Sequence, residues 1–206
     1  MTRPLSKAVF LDRDGIINEL VYYPEHGIVD SPSHPDQLRL VEGIGKSLRR
    51  LKALNFKLIL ISNQPGVAKG HFSLDVFRAI DRRMETKLSK SGVKLDDKYY
   101  CLHHPRARVT RYRYACNCRK PEPGLFQRSA REHGLSLRKS VAIGDGIVDV
   151  IAGQRAGCTT ILVSNVNSLL VRRMNEMKAE PDYIVLNMQQ AVEIITNLEK
   201  EGRSSK

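Results

Sequence analysis

Four short apolar runs punctuate the chain: "KAVFLD" (7–12), "KLILIS" (57–62), "SVAIGD" (140–145) and "TTILVS" (159–164). Each is continuous rather than alternating and carries β-branched residues, which predicts strands buried on both faces. "DKYYCL" (97–102) and "DYIVL" (182–186) are weaker instances of the same pattern. Between the runs the spacing becomes helical. Ile44, Leu48, Leu51 and Leu54 share one helix face, and so do Phe77, Ile80, Met84 and Leu88 behind Ser73, a hydroxyl suited to capping. Leu125, Phe126 and Ala130 follow "KPEPG", and Gly134 is placed to close that helix. Strands alternating with helices predict an α/β fold, a doubly wound parallel sheet with helices on both faces. The chain shows no internal repeat.

Asp12, Ser62 and Asp145 end three of the strongest strand candidates. In open α/β sheets, ligands bind at the carboxyl ends of the strands, so these distant segments should converge. "LDRDG" sets Asp12 and Asp14 two apart, with Gly15 allowing a sharp turn. Such a pair can divide the roles of nucleophile and general acid/base, or share a divalent cation. "SNQPG" offers a hydroxyl and an amide on a turn that suits phosphate oxygens. "GDGIVD" adds Asp145 and Asp149, and "RKP" adds Arg119 and Lys120. Each motif alone is also what an ordinary turn holds; their joint arrival at strand ends points to a site.

The stretch "CLHHPRARVTRYRYACNCRKP" (101–121) is of a different kind. Cys101, Cys116 and Cys118 with His103 or His104 make a Cys3His set suited to structural, closed, tetrahedral Zn2+. Four protein ligands leave no open position, so this clip is not expected to be the reaction centre. Its short C-x-C and C-x-H pairs do not match nucleic-acid finger spacing. Cys158 reads as a small buried hydrophobe.

At 206 residues the chain fits a single domain, 1–206. No apolar run reaches the roughly 20 residues needed to cross a bilayer, and the start "MTRPLSKAVFLDRDG" does not read as a secretory leader. A cytoplasmic monomer is expected. The net charge of +12 implies anionic partners, with nucleic acid held only weakly and non-specifically. The ending "LEKEGRSSK" is polar, and 200–206 is expected to be a frayed tail. The segment 19–43, with Pro24, Pro32 and Pro35, is long for a loop and is expected to act as a flap.

"VFLDRDGIIN", "ISNQPGVAKG", "CRKPEPG" and "AIGDGIVDVIAG" resemble the four motifs of the haloacid dehalogenase superfamily of phosphohydrolases. With the clip, the chain resembles its minimally capped heptose-bisphosphate and histidinol phosphatases over about residues 7 to 165. The resemblance implies a Mg2+-dependent phosphomonoesterase acting through an aspartyl phosphate. Asp12 is then the nucleophile and Asp14 the acid/base. Mg2+ sits on the carboxylates of Asp12 and Asp145 and the backbone carbonyl of Asp14, with Asp149 orienting waters or Lys120. Ser62, Asn63, Arg119 and Lys120 bind substrate. Zn2+ sits on Cys101, His103, Cys116 and Cys118, with His104 ranked second. Ile16 departs from the usual Thr, and Gly146 stands where heptose phosphatases often carry a Lys. The expected substrate is a small phosphorylated sugar, with histidinol phosphate or a phosphorylated nucleic-acid end as alternatives. A zinc-stabilised nucleic-acid-binding module is the non-enzymatic reading, and it has no use for paired acids near a polyanion.

Overall fold

The structure, a computed structural model, describes residues 5–204. Six parallel strands form one sheet in the order β5 (Asp97–Cys101), β4 (Lys57–Asn63), β1 (Ala8–Leu11), β6 (Val141–Gly144), β7 (Thr159–Val163) and β8 (Tyr183–Val185). The chain builds outward from β1 on one side through β4 and β5, then returns to pair β6 with the other side of β1. That reversal opens a crevice at the carboxyl ends of β1, β4 and β6.

The continuous apolar runs are explained by packing on both faces. Val9 and Leu11 of β1 join Leu58 and Leu60 of β4 against α1 (Ile44–Ala53), α3 (Leu74–Lys90) and α7 (Met188–Ser204), through Leu48, Ile80, Met84 and Val192. Ala8, Phe10, Ile59 and Ile61 point the other way, against Leu125 and Phe126 of α4 (Gly124–His133) and Ala152 of α5 (Ile147–Ala156). The Phe10 and Phe126 rings meet edge-on at 5.0 Å. Each such buried large side chain contributes about 1.5–3 kcal/mol of transfer free energy. The caps are as expected: Ser73 accepts from the Val76 amide at 3.2 Å, and Gly134 ends α4 at φ +60°.

Several boundaries differ from the sequence reading. β4 runs through Asn63, so Ser62 lies inside the strand, whereas Asp12 and Asp145 stand one residue past theirs. Leu54 caps α1 rather than belonging to it. Segment 19–43 is not a plain loop. It holds an antiparallel hairpin, β2 (Val21–Tyr23) with β3 (Ile28–Asp30), and a 3-10 turn at Pro35–Gln37. The Tyr23 hydroxyl donates to the Ser31 carbonyl at 2.8 Å and accepts from the Ser33 amide at 2.9 Å, which ties the hairpin to its base. At the other end, α7 continues to Ser204, into the polar segment expected to fray; residues 205–206 and the first four lie outside the described residues. The short α2 (Gly66–Lys69) and α6 (Ser168–Met177) complete the architecture. No helix among the described residues is long and apolar enough to cross a membrane.

Candidate active site and metal clip

The Asp12 amide donates to the Ile143 carbonyl at 3.0 Å, carrying the β1–β6 pairing one residue beyond the strand. The chain then turns sharply at Gly15, at φ +80°. A Cβ there would fall 2.1 Å from Asp145 Oδ2, so glycine is required both by the turn and by the approach of the second carboxylate. Asp12 Oδ1 accepts from the Arg13 amide at 2.7 Å and pairs with Lys120 Nζ at 3.0 Å.

Lys120 is buried, and its three ammonium protons have three acceptors: Asp12, Asp149 and the Ile61 carbonyl, the last at 2.9 Å. Burial disfavours its charge, but the carboxylates of Asp12 and Asp149 more than compensate and raise its pKa. Its backbone is held by Asn63: the Asn63 side-chain amide donates to the Lys120 carbonyl, and its oxygen accepts from the Lys120 amide, both at 3.0 Å. Asn63, expected to meet substrate, thus serves as a bracket for Lys120. Ser62 is buried and accepts from Gln64 Nε2 at 3.1 Å.

The carboxylates of Asp12, Asp145 and Asp149 can each offer an oxygen, all within 4.8 Å of one another. Against three carboxylates stands one ammonium. Burial first, offset by Lys120 and reinforced by Asp149 and Asp14, raises the pKa of Asp12 to about 6. Burial first, then the charges of Asp12 and Asp149, raises Asp145 to about 7. An all-oxygen set with surplus negative charge fits a hard divalent cation such as Mg2+.

Asp14 is treated in the opposite way. Burial pushes its carboxyl up, but the adjacent Arg13 guanidinium and hydrogen bonds from Asn18, Gln64 and Ser31 outweigh that and hold it below the usual carboxylate range. Arg13 is fully buried, and its Nε and a terminal nitrogen each reach Asp14 at 3.1 Å. Asn18 Nδ2 donates at 2.9 Å, Gln64 Nε2 at 2.6 Å and Ser31 Oγ at 2.9 Å. The sequence reading assigned none of these four. Gln64 lies within "SNQPG", where the reading took only Ser62 and Asn63; Ser31 comes from the hairpin and carries no local signal.

Beside Asp14 a cavity of about 350 Å³ opens between the hairpin and α2. Tyr23, Glu25, His26, Asp30, Gln64, Lys69, His71 and Phe72 are among its lining residues. Ring faces next to acceptors and donors suit a polyhydroxylated molecule.

The clip assembles as expected. The Cys118 sulfur lies 3.1 Å from that of Cys116 and 3.4 Å from that of Cys101, and the His103 Nδ1 lies 3.3 Å from Cys118. Tetrahedral zinc with ligands at 2.0–2.3 Å needs edges of roughly 3.5–3.8 Å, so these four atoms already stand near a coordination shell. No cysteine is in a disulfide. Burial pushes the Cys101 thiol up, so a cation is what favours its thiolate form. The Tyr114 oxygen sits 2.5 Å from His103 Nε2, leaving Nδ1 to face the thiols. His104 stands apart from this set: its Nδ1 accepts from the Arg106 amide at 3.1 Å. Arg119 donates to the His103 carbonyl at 3.3 Å, joining the clip to the residue before Lys120.

Known proteins resemble this arrangement. A family model described as HAD-hydrolase-like matches residues 117–191. The D-glycero-beta-D-manno-heptose-1,7-bisphosphate 7-phosphatase of Haemophilus ducreyi is 35% identical over 182 residues, covering 88% of this chain and 93% of that one. That of Pasteurella multocida is 38% identical over 160 residues, covering 77% and 82%. Among solved structures, D,D-heptose 1,7-bisphosphate phosphatase from B. bronchiseptica, complexed with magnesium and phosphate, superposes with a TM-score of 0.74 at 28% identity, covering 93% of this chain and 98% of that one.

Proposed function

Because this chain belongs to the haloacid dehalogenase family of phosphatases, we propose that it removes the terminal phosphate of a sugar bisphosphate of the heptose 1,7-bisphosphate type. The observation that carries the reading is Asp12 at the end of β1, paired with Lys120 and facing Asp145 at the switch point of the sheet. Asp12 attacks phosphorus in line; its oxygen–phosphorus bond forms as the sugar oxygen–phosphorus bond breaks, giving an aspartyl phosphate. Lys120 keeps Asp12 ionised and lies beside the oxygens over which charge spreads. The Ser62 hydroxyl is a donor for the same oxygens. Asp14 gives a proton to the departing sugar oxygen, then takes one from the water that hydrolyses the aspartyl phosphate. Its hydrogen bonds favour the ionised form, which the second half requires, so for the first half Asp14 must take up a proton from solvent before the sugar oxygen departs. Arg119 meets substrate at the rim.

Asp12, Asp145 and the Asp14 backbone carbonyl are the proposed Mg2+ ligands, with Asp149 holding Lys120. A bound Mg2+ shields the carboxylate nucleophile from the phosphate dianion. Cys101, His103, Cys116 and Cys118 are the proposed Zn2+ ligands. The test is release of inorganic phosphate from a panel of heptose, hexose and histidinol phosphates, after EDTA treatment and with Mg2+ restored. The heptose bisphosphate should be turned over with the highest kcat/KM, and only with Mg2+. Turnover confined to histidinol phosphate, or undiminished after verified Mg2+ depletion, would overturn it.

A further inference from the structure

A second recess adjoins the cavity beside Asp14. Lys69 and His71 line both, and beyond them His104, Arg106 and Arg108 complete a recess of about 340 Å³. Among the described residues its lining is three cations and two imidazoles, with no carboxylate. The main cavity, by contrast, carries Glu25 and Asp30. A molecule with two phosphates, one of them at Asp12, therefore meets repulsion along the hairpin wall and attraction along the zinc-loop wall.

The recess is also a built surface. The Val109 amide donates to the Ala68 carbonyl at 3.0 Å, tying the zinc loop to α2 just before Lys69. Arg113 donates to the Ala107 carbonyl at 2.5 Å and to the Arg108 carbonyl at 3.0 Å, and Ala107 is buried. The His104 amide donates to the Tyr112 carbonyl at 3.0 Å. The backbone bearing Arg106 and Arg108 is thus fixed on three sides, while their own side chains are exposed and free to close on an anion. Fork-shaped guanidinium donors match phosphate oxygens.

We propose that Arg106 and Arg108, with Lys69 and His71, form a subsite for the second phosphate of the substrate. The proposal rests on the bisphosphate reading and adds where the distal phosphate lies and which residues choose it. The zinc clip acquires a further purpose: it shapes the wall that reads the far end of the substrate, as well as aiming Lys120.

The experiment compares Arg106→Ala/Arg108→Ala with wild type on heptose 1,7-bisphosphate and on the matching 7-phosphate, at fixed ionic strength, with zinc content as the control on folding. The double variant should lose at least about tenfold more kcat/KM on the bisphosphate than on the monophosphate, mostly through KM, a difference worth about 1.4 kcal/mol. Equal losses on both substrates overturn the subsite while leaving the phosphatase reading intact. If wild type turns over neither sugar, the bisphosphate reading fails. The subsite then stands or falls on inorganic phosphate, followed through the ring resonances of His71 and His104. Shifts that saturate in wild type and vanish in the double variant support it; unchanged shifts sink it. Preferential turnover of a 3′-phosphorylated oligonucleotide, lost in the same variant, would make the recess a nucleic-acid contact and overturn the small-molecule proposal.

Discussion

Two clusters of ligand atoms lie on either side of Lys120, and they are supported differently. Asp12 and Asp145 stand just past the ends of β1 and β6 and Asp149 in the first turn of α5, backed by the central strands of a dry core. Their positions are fixed by packing before any cation arrives, and the cost is crowded negative charge. Cys101, His103, Cys116 and Cys118 belong to a polar excursion. Cys101 is anchored by the end of β5, but the other three stand on a loop whose flanks carry Arg106, Arg108, Arg111 and Arg113. Little apolar surface holds that loop, so a metal has to contribute to its fold. One site uses structure to concentrate charge; the other uses a metal to make structure.

Replacing Asp12 tests the first half most severely. Asp12→Asn keeps the shape and removes both the nucleophile and one surplus charge. Turnover should drop by about 10⁴-fold or more, the scale seen when a nucleophile that acts within a unit is removed. The melting temperature of cation-free protein should hold or rise, since crowding is relieved. Phosphate release near the wild-type rate would remove Asp12 from its role; a collapsed fold would mean that the charge was needed for structure.

That contrast also sorts what could be read from the chain. The buried strands were legible because both faces are apolar: Ala8, Val9, Phe10 and Leu11 are all buried. Asp12, Asp145 and Lys120 were legible because strand ends and short motifs are local. Two of the partners of Asp14 were not, because a hydrogen bond from Ser31 or Gln64 depends on how distant segments fold back, across 17 and 50 residues; Arg13 and Asn18 are near in sequence, but nothing local marks their side chains as turned toward Asp14. Helix α5 gave no periodic signal because it is buried on more than one side, with Ile147, Val150, Ala152 and Gly153 all enclosed. The α7 pattern of Met188, Ala191, Val192 and Ile195 was regular yet went unused, sitting in a stretch dominated by polar residues. The resemblance implies a substrate contact for Asn63; that its amide also brackets Lys120, 57 residues away, has no local signal.

A smaller effect separates the two clusters through their shared neighbour. Cys118→Ser should lose zinc, loosen residues 102–119 to amide exchange and lower kcat/KM by roughly a hundredfold, the scale of misplacing a catalytic group by about an ångström. Lys120→Ala should keep its zinc and its loop order. It leaves Asp12 and Asp149 without their counter-charge, so it should cost about 3–5 kcal/mol of stability in the cation-free protein, partly recovered by Mg2+. Zinc analysis, hydrogen exchange and thermal melts distinguish the two variants. Full activity and an ordered loop in zinc-free Cys118→Ser would end the view that the clip makes structure.

The finest discrimination is by pH, because acid should move the clusters in opposite directions. In the cation-free protein, Asp12 and Asp145 have pKa values raised to about 6 and about 7, above the 3.8 of an ordinary aspartate. A carboxyl whose folded pKa exceeds its unfolded one binds more protons when folded, so stability rises as pH falls through the folded pKa. Between pH 8 and pH 5 the Mg2+-free protein should therefore gain stability from these groups, and Asp145→Asn should flatten that gain. Each kcal/mol corresponds to about 2–4 °C in Tm at this chain length. Saturating Mg2+ should also flatten it, because the cation favours the ionised forms. Asp14 runs the other way: its lowered pKa gives stability that is present above the ordinary aspartate value and lost below it, outside this window. The clip needs thiolates and a neutral imidazole, so its zinc should leave as pH falls. Zinc release is read with a chromophoric chelator, and carboxylate protonation by Tm at matched zinc occupancy. A melting temperature that falls steadily from pH 8 to pH 5 with zinc still bound would show that the carboxylates are not crowded, and the contrast between the two clusters would lose its physical basis.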